Sequence, residues 1–150
     1  MIKKRFLVLL FICTSIFAQK DIDINELKWL PNSHSFWVNS DGNILVYNID
    51  KLDQKTAVLT NKQLKEAGSN GEVEDLVWNQ NKTKVLVYTN SKKVWRANTK
   101  GDYWFFDLAS GKGKKLGNNL EESSLMFAKF SNDNENVAYV SKHNIYLENL

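Results

Sequence analysis

Residues 130–147 read Phe130-Ser131-Asn132-Asp133-Asn134-Glu135-Asn136-Val137-Ala138-Tyr139-Val140-Ser141-Lys142-His143-Asn144-Ile145-Tyr146-Leu147. An aromatic residue opens the stretch and a polar turn follows. Apolar and β-branched residues then fill two short runs separated by a polar link. No helical period fits; short runs of this kind between turn signals are strands. The same layout occurs twice upstream, with Trp29 and Trp78 standing where Phe130 stands. Seven residues after each anchor comes an apolar run: Phe36-Trp37-Val38, Val85-Leu86-Val87 and Val137-Ala138-Tyr139-Val140. In the first and third units a further run opens at Asn43 and Asn144. A repeat of about fifty residues carrying short strands is the signature of a propeller blade. The expected fold is all-β: a partial propeller of about three four-stranded blades. A two-sheet sandwich is the competing architecture.

Working outward, nine runs are expected to be strands: Ser35–Val38, Ile44–Ile49, Thr56–Leu59, Glu74–Trp78, Lys84–Thr89, Tyr103–Leu108, Leu125–Phe130, Asn136–Val140 and Asn144–Leu147. Asp41-Gly42 signals a tight hairpin turn. Asn61–Gly68 predicts one short helix stopped by Gly68. The anchors Trp29, Trp78 and Phe130 are expected in the core between blades, since each sheet of a repeat protein buries its faces against its neighbours. The second unit breaks the pattern. Its last strand starts at Tyr103, and roughly ten residues, Ser91 to Gly101, are inserted before it. Insertions in repeat folds map to loops or extended strands on one face, often the binding face.

The chain has 150 residues, 43% hydrophobic and 25% charged, which excludes wholesale disorder. Its +3 charge invites a guess at nucleic acid or anionic membrane. That charge, however, sits in the first residues. Lys3, Lys4 and Arg5 precede a nearly unbroken apolar run from Phe6 to Ala18, which reads as a secretory leader cleaved after Ala18. A lipidated Cys13 is the competing reading, although Ile12 before it is bulky for that role. With residues 1–18 removed as signal peptide, residues 19–150 carry no net charge and no cysteine. Nucleic acid, an intrachain disulfide and cysteine-rich zinc sites are therefore not expected.

Val94-Trp95-Arg96 followed by Tyr103-Trp104-Phe105-Phe106-Asp107-Leu108 resembles the Trp-Arg segment and Tyr-Asp-Leu-type strand of the dipeptidyl peptidase IV family of serine peptidases, in the prolyl oligopeptidase clan. Phe130-Ser131-Asn132-Asp133, Val137-Ala138-Tyr139-Val140 and Asn144-Ile145-Tyr146 are similar to that family's next blade. The resemblance implies an eight-bladed propeller joined to an α/β-hydrolase domain that releases Xaa-Pro or Xaa-Ala dipeptides from peptide N-termini. The leader points to an exported bacterial protein, periplasmic or secreted; the resemblance implies peptide substrates as partners, and no cofactor is expected. In full length the protein is a candidate homodimer, with no membrane contact after leader cleavage. No Gly-x-Ser-x-Gly elbow occurs here, so the chain is expected to be the N-terminal part of a longer enzyme, without catalytic residues and inactive alone. Arg96 matches the family's arginine that hydrogen-bonds the substrate backbone carbonyl, and is the substrate-binding candidate. Ala97-Asn98 replace the family's His-Ser beside it.

Other tempting features carry less. Glu121-Glu122 look like an acidic amine-binding pair but sit in a Ser- and Asn-rich linker, as a solvated loop. Gly111-Lys112-Gly113-Lys114-Lys115 lacks the Ser/Thr and helix of a phosphate loop and is expected to be a blade turn. His34 and His143 have no partners at metal-ligand spacing. A non-enzymatic periplasmic propeller of TolB-like or WD40-like kind, binding proteins through its rim, is the alternative function. A propeller from another branch of the peptidase clan is a third.

Overall fold

The structure, a computed structural model, describes residues 26–31 and 33–150; the leader assigned to residues 1–18 lies outside them. Eleven strands and one helix follow in chain order: β1 (Lys28–Trp29), β2 (Ser35–Ser40), β3 (Asn43–Asn48), β4 (Lys51–Leu59), α1 (Asn61–Glu66), β5 (Asp75–Trp78), β6 (Lys84–Val94), β7 (Ala97–Asp107), β8 (Gly113–Lys115), β9 (Leu125–Phe130), β10 (Asn136–Ser141) and β11 (Asn144–Asn149). Within each unit the strands meander antiparallel in chain order: β1-β2-β3-β4, then β5-β6-β7-β8, then β9-β10-β11. That order is a series of blades and not the crossed connections of a sandwich. The second and third units are linked by one bridge between Gly101 of β7 and Leu125 of β9.

Why blades form is visible in β6 and β7, where period-2 alternation sends apolar side chains to both faces. Val85, Val87, Trp104 and Phe106 point toward the first blade, joining Trp37, Ile44, Leu59 and Leu64 in one buried cluster. Leu86, Tyr88, Tyr103 and Phe105 point the other way, against Leu125, Ala128, Val137 and Tyr139 of the third blade. A sheet apolar on both faces cannot be covered by its own strands, so it must be sandwiched.

The local signals behave as their chemistry requires. Asp41 and Gly42 both take positive φ, 54° and 79°, the conformation that a two-residue hairpin turn with right-handed strand twist demands. Helix α1 opens on a capping box in which the Thr60 hydroxyl accepts from the Gln63 N–H and the Gln63 side chain accepts from the Thr60 N–H. It closes at Ala67, with Gly68 at φ 96° just beyond.

Two expectations need correction, those for Trp29 and for Gly113–Lys115. Trp29 is 60% exposed and meets Phe36 edge-on, with ring centroids 5.9 Å apart. It lies at the edge of the first sheet, where no described strand covers it. Trp78 and Phe130 are half-buried at the rims of the two inter-blade clusters. The fully sequestered anchors are instead Trp37, Trp104 and Phe106. Gly113–Lys115 is not turn but a short edge strand on β7, made possible because Gly113 has no side chain to strike the Phe106 ring. The third blade shows three strands among the described residues.

Phe106 is completely buried between the first two blades. Replacing it with alanine is expected to cost about 3–5 kcal/mol of unfolding free energy, measured by urea denaturation.

Candidate functional site

The insertion Ser91–Gly101 becomes an arm. It extends β6 and β7 to eleven residues each and joins them by a two-residue turn, Trp95-Arg96, with Val94 paired to Ala97. β5 stops pairing with β6 at Asp75–Tyr88, and β8 covers β7 only at Trp104–Phe106. Beyond Gly101 the arm pairs only with itself, and at about 3.3 Å per residue it reaches roughly 15–20 Å past the blade. Its tip is fully in solvent: Trp95 is 94% exposed, and Arg96 is exposed beside it. Among the described residues none bonds the Arg96 guanidinium, so its donors are turned outward. Trp95 sits at φ 60°, in the left-handed region that a bulky side chain seldom adopts. A two-residue hairpin turn demands positive φ at its first residue or at both, as at Asp41-Gly42.

A thin arm keeps its direction only if its root is fixed, and a buried polar knot does this. Asp102, 3% exposed, accepts hydrogen bonds from Asn90 Nδ2 at 3.0 Å, the Ser123 N–H at 3.0 Å and Lys115 Nζ at 3.0 Å. These partners come from the arm, the loop before β9 and the edge strand β8. Burial pushes the Asp102 carboxyl up, but the bonds from Asn90, Ser123 and Lys115 outweigh it and hold the group below the ordinary carboxylate value. The Lys115 ammonium also stands 5.6 Å from the centroid of the Trp104 ring, whose Nε1–H donates to the Thr89 hydroxyl at 3.1 Å.

On the opposite face of the root, Tyr88 and Tyr103 pack with centroids 4.8 Å apart, and the Tyr88 hydroxyl donates to the Lys100 carbonyl at 2.7 Å. Burial first, then Tyr103 and the nearby Glu74 and Asp75 charges, pushes the Tyr88 hydroxyl up to about 12, so it remains a neutral donor at physiological pH. Gly101 is needed between these layers: a Cβ there would lie 2.4 Å from the Tyr88 ring and 2.8 Å from the Thr89 carbonyl oxygen. Glu74 Oε1 accepts from the Ser91 N–H at 2.7 Å, and Lys28 on β1 bonds the Glu74 carbonyl and Asp75 Oδ1. A cleft of about 690 Å³ runs along the root, lined among others by Lys92, Asp102, Trp104, Lys115 and Glu122.

The other sequence candidates stay apart from this arrangement. Glu121 is exposed and pairs loosely with Lys142 at 3.8 Å. His34 stands 3.9 Å from Asp50 on the surface. No group of three or more potential metal ligands exists among the described residues. Sequence reasoning missed Asp102, Asn90 and Lys115. Its one available signal was an acidic residue heading an otherwise apolar strand.

A sequence profile described as the dipeptidyl peptidase IV (DPP IV) N-terminal region matches residues 79–150, a span that contains the arm. Just under half of the chain is thus similar to the dipeptidyl peptidase IV N-terminal region. A probable dipeptidyl-aminopeptidase B from Aspergillus niger is 26% identical over 146 residues, covering 82% of this chain and 16% of the relative. Dipeptidyl aminopeptidase B of Saccharomyces cerevisiae is 29% identical over 130 residues, covering 82% of this chain and 15% of its own. The chain thus spans about a sixth of the length of the curated relatives it matches. In fold it is similar to the crystal structure of Porphyromonas gingivalis dipeptidyl peptidase 4, with a TM-score of 0.69 and 16% identity over 82% of this chain and 17% of the other.

The depressed Asp102 value has a definite pH consequence. A carboxylate held below its unfolded value of about 3.9 stabilises fully above that pH, and the contribution fades as pH falls through the lowered native value. Asp102→Asn is expected to lose about 2 kcal/mol at neutral pH. Urea unfolding followed from neutral pH downward should show the wild type losing stability below about pH 4, and the variant losing less over that window.

Proposed function

We propose that the chain is the N-terminal propeller part of an exported, dipeptidyl peptidase IV-like serine peptidase that releases Xaa-Pro or Xaa-Ala dipeptides from peptide N-termini. In this reading residues 1–18 are a cleaved leader, residues 19–150 are the first blades, and the blades restrict access to a central cavity. The observation that carries it is the arm: an exposed Trp95-Arg96 turn on a fixed root, inside the span that matches the dipeptidyl peptidase IV N-terminal region.

Each part then has a task. The Arg96 guanidinium, charged at every relevant pH and offering several fixed donors, holds a backbone carbonyl of the substrate. The root sets where that guanidinium stands, because Asp102, Asn90 and Lys115 tie the arm to the blade. Acyl transfer by a Ser-His-Asp triad belongs to a further α/β-hydrolase domain of the full-length protein. That protein takes peptides with Pro or Ala in second position, works without a cofactor and is a candidate homodimer.

In the full-length protein, Arg96→Ala is expected to lower kcat/KM for an Xaa-Pro substrate about 10- to 100-fold, the worth of a charged hydrogen bond. Arg96→Lys should fall between, since it keeps the charge and loses the fork. Unchanged kcat/KM in the alanine variant would sink the assignment. Mass spectrometry of the exported protein is expected to find a mature N-terminus at Gln19; an intact leader or a lipidated Cys13 would overturn the cleavage reading.

A further inference from the structure

The arm carries more charge than the binding of a neutral carbonyl requires. Between Asn90 and Gly101 there are four cations, Lys92, Lys93, Arg96 and Lys100, and no carboxylate. Lys92 and Lys100 face each other directly across the hairpin. Like charges at opposed positions destabilise a two-stranded pair. Among the described residues none of the four has an ion-pair partner. Other lysines in the structure do find partners: Lys28 with Asp75, Lys114 with Glu148 and Lys115 with Asp102. The insertion is therefore a local concentration of positive charge, since the rest of residues 19–150 carries more carboxylates than cations.

We infer that the arm selects acidic peptides, with Lys92, Lys93 and Lys100 as specificity residues that attract Asp or Glu side chains on the substrate beyond the bond that is cleaved. The inference rests on the reading of Arg96 as a substrate contact, and it names the substrate class of that same site. Cations spaced along both strands match carboxylates spaced along an extended peptide. Trp95 at the tip offers an apolar and cation-tolerant surface beside them. A continuous anionic surface such as a lipid bilayer fits less well, because the root also presents carboxylates. Glu122 lines the adjoining cleft, and Glu74 holds the Ser91 N–H.

The test uses the full-length protein and three peptides: Ala-Pro followed by three Glu, by three Gln, or by three Lys. At about 0.02 M salt, where the Debye length is roughly 20 Å, kcat/KM should favour the Glu peptide over the Gln peptide by on the order of tenfold, as expected for a few exposed charge pairs. The Lys peptide should be poorest, and the preference should collapse at about 0.5 M salt, where screening acts within roughly 4 Å. The triple variant K92Q/K93Q/K100Q should lose the preference, and Lys→Arg at the same positions should restore it. Removing the Lys92–Lys100 repulsion should leave the melting temperature unchanged or raised, which separates loss of attraction from loss of fold. Equal rates for the Glu and Gln peptides at low salt would overturn the inference while leaving dipeptide release intact. A preference that survives in the triple variant would overturn its assignment to the arm. If no peptide is cleaved, the dipeptidyl peptidase reading fails, and fluorescence anisotropy with labelled forms of the same peptides decides the inference alone. Tighter Glu-peptide binding that the triple variant loses supports it. Equal binding, or binding only to phosphatidylglycerol vesicles, overturns it.

Discussion

The whole fold depends on a sheet that is apolar on both faces. β6 and β7 alternate so that Val85, Val87, Trp104 and Phe106 face one neighbour while Leu86, Tyr88, Tyr103 and Phe105 face the other. Neither set can be hidden by strands of the same blade, because those strands lie in the same plane. Burial is achieved only by stacking sheets radially, and the blades before and after exist in this geometry to supply that cover. The order of the strands, the position of α1 beneath the first seam and the short edge strand β8 all follow from filling the two seams.

The same constraint makes the arm possible. Two strands clamped on both faces form a stiff base, and an antiparallel pair that continues past its clamps still points where the base directs it. What changes at the root is the kind of interaction. Apolar cover ends near Tyr88 and Tyr103, and a buried carboxylate takes over, with Asp102 holding three segments of chain by hydrogen bonds. A buried charge is tolerated only when paired and fully bonded, and here the pairing is also what orients the arm. Gly101 lets the two layers meet, since any side chain there would collide with the Tyr88 ring.

Much of this architecture was legible in the chain. The aromatic anchors recur about every fifty residues, and the strands follow them at regular distances. The insertion stood out only because the repeat was regular elsewhere. The misreadings share one cause. The fifty-residue spacing aligns Trp29 with Trp78, yet burial depends on whether a neighbouring sheet covers the position, which spacing does not encode. Gly113–Lys115 read as turn because glycine and lysine favour turns locally; pairing to β7 and the need to clear the Phe106 ring outweighed that preference. Asp102 carried no motif at all, since its partners lie far from it along the chain, at Asn90, Lys115 and Ser123.

The amino-acid sequence by itself determined the β character, the repeat, the hairpin at Asp41-Gly42, the capped helix and the location of the inserted segment. Each of these rests on preferences that act over a few residues or on a period that can be counted. Only the tertiary structure decided that the insertion is a self-paired arm with Trp95 and Arg96 at its tip, that Asp102 fixes its root, and that Lys92 stands opposite Lys100. Those outcomes depend on strand register and on which distant side chains share a buried space. Register is set by the packing of whole sheets, so no local stretch of the chain contains it.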